Sequence, residues 1–287
     1  MNAIRTTLIA AGTLGIAHGV IAQDAPPDHI TLTGVVRDFV ERSKPGGHPD
    51  FERKPDSGFG HYMGNVAGYL DEDGKPIFVG GGRKVASQWK NAGGYPIHPS
   101  LYDSSLGDSS GSYQSGTDNG GISSADSFST WFRDEPGLNM SQPLTMTLER
   151  TGGSDEMPVY SYENNSFFPI DGQLFGNSGG TPDHNFHFTF ELHTEFTYIE
   201  GAGQAFSFYG DDDVWVYIDG RLVIDIGGVH SKVQQMVELD RLGLQDGKTY
   251  PLDFFFAERH RTQSNFRIDT SLVLMNADLP TVTAAYD

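Results

Sequence analysis

The sequence contains no cysteine among its 287 residues. This absence excludes disulfide bonds, thiol chemistry and zinc sites with cysteine ligands. Basic residues are also scarce, because 19 lysines and arginines stand against 38 aspartates and glutamates, for a formal net charge of −19. Since binding to nucleic acid needs clustered basic side chains, this balance argues against nucleic acid as a partner. It is compatible with cation binding and with simple solubility.

Helical patterns and long apolar runs are missing as well. No stretch combines a sustained 3.6-residue period with helix caps. One apolar run, Thr7 to Val20, follows the basic residue Arg5. It is shorter than the roughly 20 residues that cross a membrane, so the sequence predicts a signal peptide over residues 1–22, cleaved near Ala22, and a secreted or periplasmic product. No second run of spanning length follows, so no transmembrane segment is expected in the mature chain.

The sequence is rich in 36 glycines and 19 phenylalanines, a pairing typical of many strands joined by tight turns. Alternating apolar residues predict strands at 30–36, 144–148, 159–162, 186–192, 205–209, 214–218, 222–226, 233–239, 250–256 and 266–274, with a hairpin at 69–79. We therefore expect an all-β fold, an antiparallel β-sandwich, in a single domain over residues 30–275. Residues 103–126 are mostly serine, glycine, aspartate and asparagine, which predicts a flexible insertion loop. Residues 276–287 are expected to form a loose tail.

Three consecutive acids, Asp211, Asp212 and Asp213, lie between two predicted strands. Adjacent carboxylates repel one another unless solvent or a cation neutralises them. The strand that follows, Val214 to Ile218, is apolar on both faces, so it is expected to be central and covered on both sides. It ends at Asp219-Gly220, a preferred pair for a two-residue hairpin turn. The sequence thus predicts an acidic loop at the edge of a rigid hairpin.

Several motifs in order resemble the fibro-slime domain. They are Gly-Asp-Asp-Asp-Val-Trp-Val-Tyr-Ile-Asp-Gly at 210–220, Asp-Ile-Gly-Gly-Val-His at 225–230, Ala-Glu-Arg-His at 257–260 and Ser-Asn-Phe-Arg-Ile at 264–268, with shorter matches at 37–39, 48–51, 167–170 and 184–189. The resemblance extends from about residue 32 to residue 274. The fibro-slime family is related to the anthrax-protective-antigen-type β-sandwich, a group that includes yeast flocculins and bacterial adhesins. The resemblance implies that this chain folds as a protective-antigen/lectin-like sandwich with a Ser/Gly-rich insertion.

The resemblance also implies a site. In the related lectins an Asp-Asp pair on one loop ligates calcium, the ion holds sugar hydroxyls, and a second loop completes the site. The pair corresponds to Asp211 and Asp212, the second loop to 258–265, and Asp213 stands where many members have glycine. With neighbouring residues added to this pair, the predicted calcium ligands are Asp211, Asp212, Asp213, Glu258 and Asn265. The predicted ligand-binding residues are Asp211, Asp212, His230, Arg259, His260 and Asn265.

Calcium requires six to eight oxygen ligands, which carboxylates supply well. Adjacent residues on an extended strand point to opposite faces. Asp211 and Asp212 therefore reach one ion only where the backbone deviates, and a cis or strained peptide bond between them is one route.

Other readings of these residues remain open. The histidines 184, 187, 230 and 260 could bind a transition metal, but their spacing matches no zinc motif, and hydrogen bonds to turns explain them more simply. Arg259 could pair with an acid such as Asp225. Asp71 and Asp73 could begin a calcium loop, but the later ligands of such a loop are missing from the sequence after them, so a hairpin is the favoured reading. Asp213 and Glu258 could serve glycoside hydrolysis, but clustered acids on one turn lack the separate environments of an acid and a base, so we expect no enzyme.

Together these patterns predict an exported calcium-binding protein that acts in carbohydrate recognition or cell-surface adhesion. Its partner would be a glycan or a cell-surface polysaccharide, and the oligomeric state stays open. The alternatives are an extracellular matrix or scaffold module, in which calcium only stabilises loops, and a glycoside hydrolase.

Overall fold

The computed structural model describes residues 25–277. The predicted signal peptide at 1–22 lies outside the described residues, as does the tail beyond residue 277. The described chain is almost entirely β. The strands are β1 His29–Phe39, β2 Tyr62–Met63, β3 Val66–Leu70, β4 Pro76–Phe78, β5 Arg83–Ser87, β6 Ser112–Tyr113, β7 Asn139–Gly153, β8 Pro158–Asn164, β9 Phe188–Thr197, β10 Ala205–Asp211, β11 Asp213–Ile218, β12 Arg221–Ile226, β13 Val233–Glu238, β14 Thr249–Glu258, β15 Asn265–Thr270 and β16 Met275–Asn276.

Helices are few and short in the described residues. The α-helix α1 spans Ala125–Phe128, and three 3₁₀ turns span Pro99–Leu101, Ser104–Leu106 and Leu239–Arg241. Between residues 25 and 277, no helix is both long enough and apolar enough to cross a membrane.

Most strands form one antiparallel sheet in the order β13-β10-β15-β8-β7-β1-β9-β14-β11-β12-β3-β4, with β16 added beside β9. A second, small sheet has the order β2-β5-β6. The predicted all-β antiparallel class is confirmed.

The large sheet curls so that its two halves face each other. Phe254 and Phe256 of β14 contact Phe208 of β10 and Phe266 of β15, with ring centroids 5.6 and 5.2 Å apart. Since β14 is not hydrogen-bonded to β10 or β15, these contacts cross the core between the two layers, as in a β-sandwich.

Strand β11 is covered on both faces, as the sequence predicts. Val214, Val216 and Ile218 lie in the large core between the layers. Trp215 and Tyr217 lie in a second apolar cluster on the outer face, which also contains Phe128, Trp131, Phe132 and Phe255. The predicted turn after β11 is also present. Asp219 and Gly220 have φ values of 51° and 69°, as a type I′ hairpin requires.

Strand β9 corrects one prediction. The sequence predicts a polar outer face at 186–192, but Thr189 and Glu191 are fully buried. The Thr189 hydroxyl donates to the carbonyl of Trp131 at 2.6 Å, and Glu191 binds Arg37 and Lys75. The N-terminal half of the chain covers this face, which the alternation of β9 alone does not reveal.

The loops and ends of the chain need smaller corrections. The last long strand ends at Thr270, not at residue 274. Asn276, where a loose tail was predicted to begin, lies in β16, and its side chain bonds the backbone of Thr31 and Thr33. The 69–79 segment is the predicted hairpin, in which Asp71 accepts hydrogen bonds from its own turn and from Arg133.

The segment 103–126 is largely irregular, and its second half packs into the protein. Ile122 is 2% exposed, and the Gly120 and Gly121 carbonyls accept hydrogen bonds from Arg259. The flexibility of the segment stays a prediction.

Candidate cation site

The acidic loop and the second loop meet because of strand pairing. Asp211 is the last residue of β10 and pairs with Asn265, the first residue of β15. Asp213 begins β11 and pairs with Ala257 near the end of β14, where Glu258 follows. Four strand ends therefore converge at one edge of the sandwich, and they carry the residues that the resemblance singled out.

Asp211 is held in a fixed orientation by Asn265. The backbone N–H and the side-chain amide of Asn265 donate to the two carboxylate oxygens of Asp211 at 2.7 and 2.8 Å. The amide nitrogen of Asn265 is used in this contact, so its amide oxygen is the atom that remains to ligate an ion. Burial raises the pKa of Asp211, and the hydrogen bonds from Asn265 oppose this rise. The Asp211–Asp212 peptide bond is cis, one of the two deviations considered above.

Asp212 is 4% exposed and weakly bonded. Its carboxylate accepts from the backbone N–H of His230 at 3.2 Å and of Arg259 at 3.4 Å, both long for charge-assisted hydrogen bonds. Burial and then the neighbouring charge of Asp213 raise its pKa well above the usual value. Among the described residues, Asp212 forms no ion pair of its own, although the charge of the nearby Arg259 opposes the rise in its pKa.

Asp213 has a different role from the one implied for it. Its carboxylate accepts from Arg259 Nε at 2.5 Å and from the N–H of Gly228 at 2.6 Å. Arg259 is fully buried, and its other nitrogens donate to the carbonyls of Gly120 and Gly121. Asp213 and Arg259 therefore form an internal ion pair rather than part of a binding surface.

The structural ion pair considered for Arg259 is formed with Asp213 and not with Asp225. Asp225 instead accepts from the indole of Trp215 at 3.0 Å and from the N–H of Gly64 at 2.7 Å. Burial raises the pKa of Asp225 to about 7.

Glu258 is the most unusual residue of the site. It is fully buried, and neither carboxylate oxygen has a hydrogen-bond partner among the described residues. The Ser264 hydroxyl and the His260 N–H lie close enough to lower its pKa slightly, but neither makes a bond of acceptable geometry, and the Ser264 hydroxyl is itself unpartnered. Burial, followed by the charges of Asp212 and Asp211, raises the pKa of Glu258 well above the usual value.

The charge balance of these residues suits a hard cation. Asp211, Asp212 and Glu258 are buried together, while the nearest guanidinium, Arg259, is engaged by Asp213. Buried carboxylates without partners must take up protons or a cation. The donors are all oxygens, the set that calcium prefers over zinc.

A second acidic group differs from Asp211, Asp212 and Glu258 in two ways: its ligand atoms lie closer together, and a cation already pairs with it. The possible ligand atoms of Glu41, Glu52 and His187 all lie within 4.8 Å of one another, a spacing that the Asp211, Asp212 and Glu258 carboxylates do not reach. Those carboxylates would have to turn inward to share an ion. The Glu41 group already has its own cation, because Arg261 contacts Glu41 at 2.8 Å and Glu52 at 3.7 Å.

A cleft of about 270 Å³ opens over Asp211 and Asp212. Its lining residues are Phe59, Asp211, Asp212, Val229, His230, Ser231, His260, Arg261, Thr262 and Gln263. Glu258, Asn265, Asp213 and Arg259 are not among the lining residues. Phe59 forms an apolar wall of this cleft that no sequence pattern predicts, because the residue lies in an irregular loop without periodicity.

The four histidines do not come together as one metal site. The Nε2 atom of His230 is buried and has no hydrogen-bond partner in the described part of the chain, and burial lowers the pKa of its ring to about 3. His260 packs edge-on against Phe59. Elsewhere, His184 stacks on Phe168, and His187 contacts Glu52 at 3.0 Å.

Comparison with known proteins identifies similarity to one domain type. The model of the PA14 domain matches residues 159–284, which agrees with the coarser part of the resemblance, the protective-antigen-type domain. Three Dictyostelium discoideum proteins are similar: psiD (46% identical over 54% of this chain), psiQ (44% over 53%) and psiR (40% over 84%). The matched regions make up 31%, 16% and 21% of these proteins, so the chain spans less than a third of each relative's length.

Among solved structures, the PA14 domain of the MpAFP antifreeze protein is 12% identical, with a TM-score of 0.26 over 40% of this chain and 66% of that one. The part of the chain that matches the PA14 model, residues 159–284, contains every acidic residue of the candidate cation site.

Proposed function

We propose that this chain is an exported, fibro-slime-type protein that binds calcium at Asp211, Asp212 and Glu258 and recognises carbohydrate through that site. The observation that carries the proposal is the fully buried Glu258 carboxylate, to which no group among residues 25–277 donates a hydrogen bond of good geometry and which lies beside two other buried acids. Leaving such a group unpaired costs several kcal/mol. A bound cation would remove that cost.

Each residue of the site has a part in this proposal. Asn265 orients Asp211 and offers its amide oxygen, while the N–H groups of His230 and Arg259 position Asp212. Glu258 closes the inner side. Calcium takes six to eight oxygen ligands, more than these side chains supply. The remaining coordination positions would be open to vicinal hydroxyls of a sugar. The cleft above Asp211 and Asp212 is where such hydroxyls would enter.

We favour binding over catalysis. Asp213, the acid considered for glycoside hydrolysis, is engaged by Arg259 and Gly228, so it is poorly placed to transfer a proton to a substrate. The other alternative, a scaffold in which calcium only stabilises loops, predicts calcium binding without glycan binding.

A glycan array with and without a chelator tests the proposal. We expect hits that need calcium and that disappear in Asp212→Ala. The matched control is Asp155→Ala, which removes an acid whose side chain is 71% exposed and pairs with Arg150 on the surface. Calcium binding without any glycan hit would favour the scaffold, and turnover of a chromogenic glycoside would favour the hydrolase.

A further inference from the structure

Phe59 is an exposed aromatic residue in an otherwise largely polar cleft. It is 47% exposed and lines the same cleft as Asp211 and Asp212. Isolated apolar residues on a surface are common, but a ring inside a concave site beside convergent polar groups is typical of a ligand contact. The ring comes from the N-terminal part of the chain, outside the residues that match the PA14 model.

The backbone around Phe59 is held rigidly. The N–H of Gly60 donates to the carbonyl of Val229 at 2.8 Å, and the N–H of Gly58 donates to that of Pro55 at 2.9 Å. The Tyr62 hydroxyl donates to the carbonyl of Gly58 at 2.6 Å. The segment is therefore tied to Val229, another wall of the cleft, and a ligand would lose little binding energy in ordering it.

The ring itself is also positioned by its neighbours. His260 meets it edge-on, with centroids 5.0 Å apart at 72°, and the Lys54 ammonium lies 5.0 Å from its centroid. These contacts fix the ring beside the cleft while nearly half of its surface stays in solvent.

We propose that Phe59 is the apolar platform of the site and that its ligand is a neutral pyranose. This inference rests on the proposed function. A pyranose has a face rich in C–H groups and an edge of hydroxyls, so it matches a cleft with an aromatic ring on one wall and a cation-binding acid pair on another. An acidic sugar fits less well, because the guanidinium in the lining, Arg261, is already paired with Glu41 and Glu52.

The test is calorimetry in saturating calcium on the full chain with a panel of methyl pyranosides, a glucuronide and a sialoside. The variants are Phe59→Ala, Phe59→Trp and the control Phe175→Ala, which removes a ring that is 42% exposed and is not among the lining residues. We expect Phe59→Ala to weaken binding of the neutral sugar about tenfold, Phe59→Trp to retain it, and Phe175→Ala to match wild type. Calcium affinity, titrated separately, should be the same in all four proteins.

Different failures have different meanings. Equal sugar affinity in wild type and Phe59→Ala would overturn the inference and leave the proposed function standing. Calcium binding with no response to any sugar would overturn both. A preference for the glucuronide or the sialoside would overturn the neutral ligand class.

If Phe59→Ala also loses calcium affinity or folds poorly, saturation-transfer NMR on the wild-type protein decides. Enhancement concentrated on the C–H protons of one sugar face supports the platform. Uniform or absent enhancement contradicts it.

Discussion

Two buried acid clusters in this protein differ in their counter-charges. Glu191 on β9 is fully buried, and it contacts Arg37 at 2.8 Å, His193 at 3.4 Å and the Lys75 ammonium. Burial would raise its pKa, but the hydrogen bond from His193 and the charges of Arg37 and Lys75 together lower it to about 2. At the cleft, Asp211, Asp212 and Glu258 are just as buried, and the pKa of each is raised.

The difference shows that the role of a buried acid depends on its counter-charges and not on its burial alone. The Glu191 cluster is electrically complete, so it serves as a structural ion-pair network. The cleft cluster is incomplete, because Arg259 is directed at Asp213. Loss of an acid should therefore have opposite effects on stability at the two clusters when no calcium is present.

The largest expected effect is at the complete cluster. Glu191→Gln leaves Lys75 buried without its carboxylate, and it takes one of the two carboxylates from Arg37, which keeps Asp134 at 2.8 Å. We therefore expect a loss of about 3–5 kcal/mol in the free energy of unfolding. Urea denaturation measures it, with and without calcium, and the loss should be the same in both. The control is Glu195→Gln on the same strand, where the side chain is exposed, and where a change within about 0.5 kcal/mol is expected. A loss of under 1 kcal/mol in Glu191→Gln would contradict a structural network.

The next effect is the stabilisation of the folded protein by calcium at the cleft cluster, which consists of Asp211, Asp212 and Glu258. Calcium at about 100 times its dissociation constant should stabilise the wild type by about 2.7 kcal/mol. Asp212→Asn should lose this gain, and in chelator it should be at least as stable as the wild type because one buried charge is gone. Thermal denaturation with calcium and with chelator measures both values. A loss of stability in chelator as large as that of Glu191→Gln would remove the distinction between the clusters.

A smaller effect is expected at Glu258. Glu258→Gln removes the charge and keeps the shape, so in chelator the stability should rise by up to about 1 kcal/mol while calcium affinity falls. The matched control is Glu163→Gln, a 49% exposed side chain paired with Arg267 on the surface. Destabilisation in chelator would mean that Glu258 has a partner in solution that the structure does not show.

A third kind of buried acid, Asp38, accepts hydrogen bonds from neutral donors and gives an effect that depends on pH. Asp38 accepts from the N–H of Phe175 and the amide of Asn185 at 2.8 Å, and burial raises its pKa from 3.8 to about 7. Between these pH values the folded protein keeps a proton that the unfolded chain has released. The contribution of Asp38 to stability is therefore fully present below pH 3.8 and declines as the pH rises to about 7.

Asp38→Asn should remove this decline. Urea denaturation at intervals between pH 5 and 8 should show a flatter dependence in the variant than in the wild type. Parallel curves would show that Asp38 titrates at its ordinary pKa.

Sequence patterns predicted the parts of this molecule that depend on local order. The two-faced apolar pattern of Val214 to Ile218 placed β11 at the centre, and Asp219-Gly220 predicted its turn. The resemblance carried by the motifs at 210–220 and 257–268 implied that these two loops form one site, and strand pairing places both loops at one edge of the sheet.

The remaining features depend on contacts between distant segments. The pairing of Asp213 with Arg259 depends on the register of β11 against β14, and the burial of Glu191 depends on a covering layer from residues 128–134 and Lys75. Phe59 lies in a loop without periodicity, so only its position in the folded chain reveals it.

Calcium titration by calorimetry on the wild type and Asp212→Ala tests the central claim most directly. We predict saturable binding of about one ion by the wild type and at least tenfold weaker binding by the variant, a difference of about 1.4 kcal/mol or more. Identical titrations of the two proteins, or no heat of binding to the wild type, would contradict the assignment of the cation site to the acidic loop.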